Sequence, residues 1–405
     1  MKRFYAVLIT LSVICSVAFA ESFFSKSRFL EVKAGASFGL SNNVLAAPDY
    51  MKKDLVIDLR KMADECPDTG FAVLANVHPD AAINLNIKSL SFGFSTGAEF
   101  YEKLVIDKGL FEFLGYGNQI GQTVTAGITN NMELFAYAQV DVGFNLKKFR
   151  LHVQPAVFVP LVEIRESGGT VTAMNDAAGN LNVHANMNME VFTPFEVSFD
   201  DEGQIRINTD GIERSLFTGY GFDVAANMSV PFGNWFVIEA DARVPLIPGR
   251  IKKKYVVSGD FAFDSPVMQI GQNEIVSHKP EAQGPLEADL AINRPLKAHA
   301  YLSKTFFNNM FELRGGGGLC LRRPFQENPM FYPEYYVGLG FNLFSIVKLN
   351  ASTQYVDQIF IHQLGGTVNL RIVQLDMGAS LQSADFKKSF SFSGFGAYAY
   401  ATVGF

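Results

Sequence analysis

Two short runs of this 405-residue chain hold ionisable side chains in step. Glu239, Asp241 and Arg243 occupy alternate positions, and so do Lys297, His299 and Tyr301. In an extended backbone, residues two apart share a face, so each trio would project one way from its strand. Carboxylates at i and i+2 on one face could do acid–base work. The same six groups could also form a ligand clamp, a charged constriction, or a set of salt bridges that neutralise one another. The six histidines (His78, His152, His184, His278, His299 and His362) are scattered and form no HxxxH or HExxH spacing, and no CxxC occurs. No metal site is expected from that pattern, and no cofactor. A serine hydrolase would need Ser and His within hydrogen-bond reach. No nucleophile elbow is expected, and nothing in the spacing marks an enzyme.

The elements that must carry these residues are strands. In Met132–Leu146 the even positions are Met132, Leu134, Ala136, Ala138, Val140, Val142, Phe144 and Leu146; the odd ones include Glu133, Gln139, Asp141 and Asn145. One face is apolar and the other mostly polar or small, the period-2 signature of a strand with unlike faces. The split recurs in 218–232, 236–246, 296–303, 347–355 and 374–382. Such segments of about 10 to 15 residues exceed most strands of soluble sandwiches and match tilted strands that cross a bilayer. Apolar-out, polar-in alternation is the pattern of a transmembrane β-barrel, whose interior is polar in any case. Mutual salt bridges filling the lumen are therefore the favoured role for the two trios.

Composition fits this reading. Charged residues are 18%, and 38 Phe and 14 Tyr stand beside one Trp. The N-terminus MKRFYAVLITLSVICSVAFA has a basic start, an apolar stretch and an Ala-x-Ala end, which together predict a signal peptide over 1–20. Past it no apolar run approaches the 18 residues of a membrane helix. Loss of Lys2 and Arg3 with that leader takes the basic count from 34 to 32 against 40 acidic side chains, a net charge of −8. That charge excludes nucleic acid as a natural partner. Cys66 and Cys320 remain, enough for one bridge in an exported protein.

Turn residues divide 21–405, read as one barrel domain, into about 14 strands. Short connections near 88–90, 146–148, 232–235, 307–309, 344–346 and 372–374 alternate with a second set. That set includes long outer loops at about 42–69, 105–130, 167–216 and 247–294. This rhythm predicts short periplasmic turns, long outer loops and both chain ends in the periplasm. Cys66 and Cys320 then fall on the same side, which allows either a disulfide pinning loop to wall or two free cysteines. Helices are predicted over Asp54–Glu65 and Asp107–Tyr116. In the second, Leu110, Phe111 and Leu114 recur at helical spacing, and an apolar helix there is read as folded into or over the barrel mouth. Gly315–Gly318 predicts either a bend or room for a bulky inward tyrosine. Pro155 and Pro160 predict a bulge in their strand.

The last strand ends Phe395, Ala397, Ala399, Ala401, Val403 and Phe405 on its outward face. This resembles the C-terminal signature of bacterial outer-membrane barrels, which implies contact with the assembly machinery through Phe405. The overall layout resembles the long-chain fatty-acid transporter (FadL-like) barrels, and barrels of that type in spirochaetes and Bacteroidetes. The family's Asn-Pro-Ala element has no counterpart; the nearest text is Asn76-Val77-His78-Pro79. A first strand near Arg28 also leaves little chain for the family's plug, so no ligand residues carry over. The resemblance implies an outer-membrane channel, surrounded by lipid, for passive uptake of small hydrophobic molecules such as fatty acids. A surface-exposed adhesion barrel and a general diffusion porin are the alternatives.

Overall fold

A computed structural model describes residues 28–46, 58–146, 149–178, 180–199, 205–208, 218–233, 235–266, 276–277, 281–326, 328–344 and 346–405. The expected signal peptide, 1–20, lies outside the described residues. The first strands are β1 (Leu30–Asn42), β2 (Phe71–Ile87), β3 (Leu90–Ile106), β4 (Thr123–Leu146) and β5 (Phe149–Asn175). Next come β6 (Asn180–Phe192), a hairpin of β7 (Glu196–Phe199) and β8 (Ile205–Asn208), then β9 (Gly221–Phe232) and β10 (Phe236–Ile247). They are followed by β11 (Gly249–Pro266), β12 (Val276–Ser277), β13 (Glu281–Ile292) and β14 (Leu296–Phe306). The chain ends with β15 (Phe311–Arg322), β16 (Met330–Leu343), β17 (Val347–Val356), β18 (Ile359–Asn369), β19 (Val373–Ser383) and β20 (Gly394–Gly404).

Antiparallel pairing runs β1–β2–β3–β4–β5, crosses from the lower part of β5 to β9, and continues through β10 to β14. From β14 it proceeds strand by strand to β20, which pairs with β1 from Gly404↔Glu31 to Gly394↔Ser41 and closes the barrel. Closure removes sheet edges, the condition for strands in lipid. Beyond the ring, the upper half of β5 leaves β9 and pairs with β6, which pairs with β11, which pairs with β13. The expected total of about 14 strands is therefore too low: among the described residues the continuous sheet counts 18. The excess arises because 167–216 and 247–294, expected as loops, carry strands that raise one side of the wall. Their alternation, as in Asn180–Phe192, is the same period-2 signal that builds the ring.

The branch point coincides with the prolines. Opposite β4, the ladder skips Leu161 between Pro160 and Val162, and pairing is interrupted around Pro155. Proline lacks the N–H that a ladder needs, and a bulge there turns β5 from one partner to the other.

Faces follow the predicted parity. Leu349 and Leu364, at 53% and 70% exposure, lie on the outer surface, as does Phe395 at 52%. Tyr398 and Tyr400 of the same terminal strand are buried inward. So broad an exposed apolar surface is what a lipid-facing wall requires. Among the described residues no helix is long and apolar enough to cross a membrane.

Among the described residues two short α-helices occur. Asp58 caps α1 (Leu59–Glu65), its carboxylate accepting from the N–H groups of Arg60 and Lys61; the expected start at Asp54 lies outside the described residues. The second, α2 (Lys108–Tyr116), begins where expected. It does not plug the lumen. Phe111 packs with Val44, Met62, Ala63 and Cys66, and against Phe71 and Ile106. Phe71 and Ile106 have the opposite parity from the lumenal Asn76 and Tyr101, so α2 lies on the outer side of the wall. Leu114 is exposed, and none of Leu110, Phe111 and Leu114 lines the lumenal cavity. The helix found its apolar partner in α1 rather than in the barrel.

Candidate functional site

The two trios meet. β10 and β14 are far apart in sequence but adjacent in the wall, pairing Glu239↔Tyr301, Asp241↔His299 and Arg243↔Lys297. All six side chains line the lumen or its rungs. His299 bridges two carboxylates, Nδ1 lying 2.7 Å from Asp241 and Nε2 lying 2.6 Å from Glu334. Glu239 pairs with Arg314 at 2.5 Å. Lys297 lies 3.2 Å from Asp357 and 3.6 Å from Glu334.

Gly315–Gly318 makes room for this cluster and does not bend the strand. β15 keeps an unbroken register with both neighbours. A Cβ on Gly316 would meet the Tyr301 ring at 2.7 Å, and one on Gly318 would meet the His299 ring at 2.4 Å. Glycine at these inward positions lets both rings lie against the wall.

Other pairs span the barrel. Arg322 of β15 reaches Glu133 of β4 at 2.5 Å and Asp357 at 2.7 Å, with its guanidinium 3.7 Å from the centre of the Tyr101 ring. Along the wall, β4 and β15 are separated by β5, β9, β10 and β14, so Arg322–Glu133 is a contact across the lumen. Arg243 of β10 reaches Glu99 of β3 at 2.6 Å, also from wall to wall. Arg294 joins Glu99 at 2.6 Å to Asp223 at 3.0 Å and stacks 4.4 Å from Tyr137. Arg323 approaches Glu163 at 3.5 Å. Together these pairs form a crossbar. Apolar clusters flank it, with Ala72, Leu74, Ile359 and Ile361 on one side and Phe135, Phe158, Ile251 and Ile292 on the other. Burial alone would raise the Asp357 carboxyl, but the Arg322 and Lys297 charges hold it well below the usual carboxylate range.

A cavity of about 450 Å³ extends from the crossbar toward the short-turn end. Its lining runs from Gln139, Asn227, Lys348 and Asn350 toward the short turns to Asp357, Ile361 and Gln382 near the long connections, and includes no residue of β6, β11 or β13. Tyr101, Tyr137, Tyr301, Tyr336 and Tyr398 contribute ring surface. The lumen thus holds a pocket that the ion pairs of the crossbar traverse.

The sequence reading did not assign Glu99, Glu133, Arg294, Arg322, Glu334 or Asp357 to the site. Glu133 stood on the polar face of an alternating strand, and Glu99 and Tyr101 alternate in theirs. Arg294 and Asp357 occupy connections, where no period exists to find them.

Three further features bear on chemistry. Cys66 and Cys320 do not form a bridge: both are free and buried. Cys66 belongs to the outer cluster around Phe111, where burial pushes its thiol up. Cys320 faces Asp357 in the lumen, with Sγ 3.8 Å from Oδ1. Ligand atoms of Cys320, Glu334 and Asp357 lie within 4.8 Å of one another, but Lys297 and Arg322 already supply cations to that site. Contrary to expectation, the GxSxG spacing occurs twice, at Gly35–Gly39 and Gly93–Gly97. Both pentads run straight through β1 and β3, without the strand-to-helix turn that exposes a nucleophile. His362 Nε2 lies 2.8 Å from Ser389 Oγ, yet that buried hydroxyl donates to the Phe386 carbonyl at 2.5 Å. The pair fastens a turn.

No protein-family model and no curated protein matches the chain. Solved structures with a similar outline include the Pseudomonas putida toluene transporter TodX, with 8% identity and a TM-score of 0.48 over 94% of this chain and 91% of that one. The Ralstonia pickettii toluene transporter TbuX gives 8% identity and 0.47 over 95% and 91%. A Pseudomonas aeruginosa FadL homologue gives 10% identity and 0.39 over 93% and 89%.

Proposed function

We propose that this chain is an outer-membrane barrel for the passive uptake of small, uncharged, largely apolar molecules, with both termini at the periplasmic face. The observation that carries the reading is the lumenal cavity. Its size falls in the range of small-molecule sites. The charges of its crossbar and of the two trios are matched in pairs, so they leave little field to attract a free ion. Beside these paired charges the lining offers tyrosine rings and several amides, which suits an aromatic or short aliphatic body. Membrane lipid is the solvent of the outer wall, and the strand ending at Phe405 is the segment offered to the assembly machinery.

Organic extraction of the protein purified from membranes, followed by mass spectrometry, tests this reading. Calorimetric titration with a neutral aromatic hydrocarbon and with its sulfonated analogue adds selectivity. The expected result is an apolar molecule in the extract, and binding of the neutral compound alone. An empty extract with no binding, or equal binding of the sulfonate, would overturn it.

A second reading, surface interaction, is favoured by the raised sheet of β6, β11 and β13. Its β6 presents His184, Asn186, Asn188 and Glu190 on one exposed face. Deleting that sheet while keeping the ring would abolish partner binding and spare ligand binding. A steadily open diffusion pore does not fit the crossbar.

A further inference from the structure

The crossbar differs from ordinary lumen filling in two respects. First, several of its pairs join parts of the wall that lie several strands apart: Arg322 to Glu133, Arg243 to Glu99, and Arg294 to Glu99. Second, several of its members sit on connections at the long-connection end. Arg294 lies between β13 and β14, Arg323 between β15 and β16, and Asp357 between β17 and β18. Gln358, in the same turn as Asp357, accepts from Lys103 of β3 at 2.8 Å and donates to the Tyr101 hydroxyl at 3.2 Å. Connections can move without breaking a ladder of strand hydrogen bonds, whereas wall residues cannot. The partners left behind, Glu99 and Glu133, stand on the tall wall of β3 and β4.

We propose that this crossbar is a gate: a lock of ion pairs, carried partly on outer connections, that crosses the lumen and opens it when those pairs break. The passenger it would admit rests on the function proposed above, but the closure itself does not. The lumen conducts ions when the lock is broken, whatever the cargo. Regulation would then come from anything that draws Arg294 outward. The root of β13 carries Arg294, which ties the raised sheet to the lock.

Single-channel recording of the full chain in planar bilayers tests the gate. Arg322→Ala and Glu133→Ala each break a wall-to-wall pair. The triple variant Glu133→Gln, Arg322→Met, Asp357→Asn removes the same contacts while leaving no carboxylate stranded, so it keeps the test alive if a single variant misfolds. His152→Gln is the control, since its pair with Asp141 joins the neighbouring strands β4 and β5. Heat-modifiable migration on gels reports folding. The expected result is a wild type that is closed nearly all the time, a control like it, and lock variants open at least about tenfold longer. The gate is overturned by a wild type as open as the variants, by folded variants that stay silent, or by a control that opens as they do. Ligand extraction and titration read the cargo separately, so either proposal can fail alone.

Discussion

Replacing Arg322 by methionine should destabilise the barrel by about 3 kcal/mol. The magnitude follows from what the guanidinium touches. It lies 2.5 Å from Glu133 and 2.7 Å from Asp357, and the three side chains are 5%, 5% and 7% exposed. Losing one partner of a buried pair typically costs about 3–5 kcal/mol, because the other charge is stranded. Here both carboxylates keep a second cation, Arg323 at 3.9 Å for Glu133 and Lys297 at 3.2 Å for Asp357. That places the effect at the lower end, and the lost stacking on Tyr101 holds it there rather than below. The triple variant Glu133→Gln, Arg322→Met, Asp357→Asn strands no charge and should regain most of the loss. Equilibrium unfolding by guanidinium in lipid vesicles supplies the numbers, with Trp235, the sole tryptophan, as the fluorescent probe. If Arg322→Met is as stable as wild type, or if the triple variant is no better than the single one, the crossbar does not hold the fold as described.

Leu364→Arg places a charge on the outer face of β18 and should cost about 2–4 kcal/mol if that face meets lipid; a shift within about 0.5 kcal/mol in the same unfolding assay would mean water. Gly318→Ala should cost about 1–3 kcal/mol, because its Cβ would lie 2.1 Å from the Ala298 carbonyl oxygen. Gly315→Ala should be tolerated, its nearest neighbour being 3.8 Å away. Both thiols should resist a maleimide in the folded protein and react on unfolding, as read by mass spectrometry; prompt labelling of Cys66 would contradict its buried place. Asp357 sets a pH window. Its folded carboxyl is held below the ordinary aspartate value, so its stabilisation is fully present above about pH 3.9. It fades as pH falls below that value toward the depressed folded one. In acid titration of the closed state, loss of closure should therefore begin below about pH 4, not between pH 5 and 7.

Much of the wall was legible because lipid and lumen impose opposite demands on neighbouring residues. Met132–Leu146 shows both faces in plain sequence, and so do the two trios that β10 and β14 bring together. The Gly315–Gly318 run correctly signalled room for an inward ring. What stayed hidden depends on distance across the barrel. Arg322 and Glu133 are 189 positions apart, and period alone gives each a face but no partner. Arg294 and Asp357 lie on connections without alternation. The amphipathic pattern of α2 announced a helix, yet the wall that would bury Phe111 was set by α1. Cysteines on one side of a barrel can still lie on different surfaces of its wall, as Cys66 and Cys320 do. The raised strands were missed because length was read as loop, although Asn180–Phe192 alternates as clearly as the ring.

The central claim is that alternate residues of these strands face lipid and a closed lumen. Spin labels placed singly along 134–144 of β4 test it most directly, by electron paramagnetic resonance in lipid vesicles with oxygen and a water-soluble nickel chelate as relaxing agents. Labels at Leu134, Ala136, Ala138, Val140, Val142 and Phe144 should be reached by oxygen, and those between them by neither agent freely, giving a two-residue period. Uniform access of the chelate to both faces, or no alternation, would contradict the barrel.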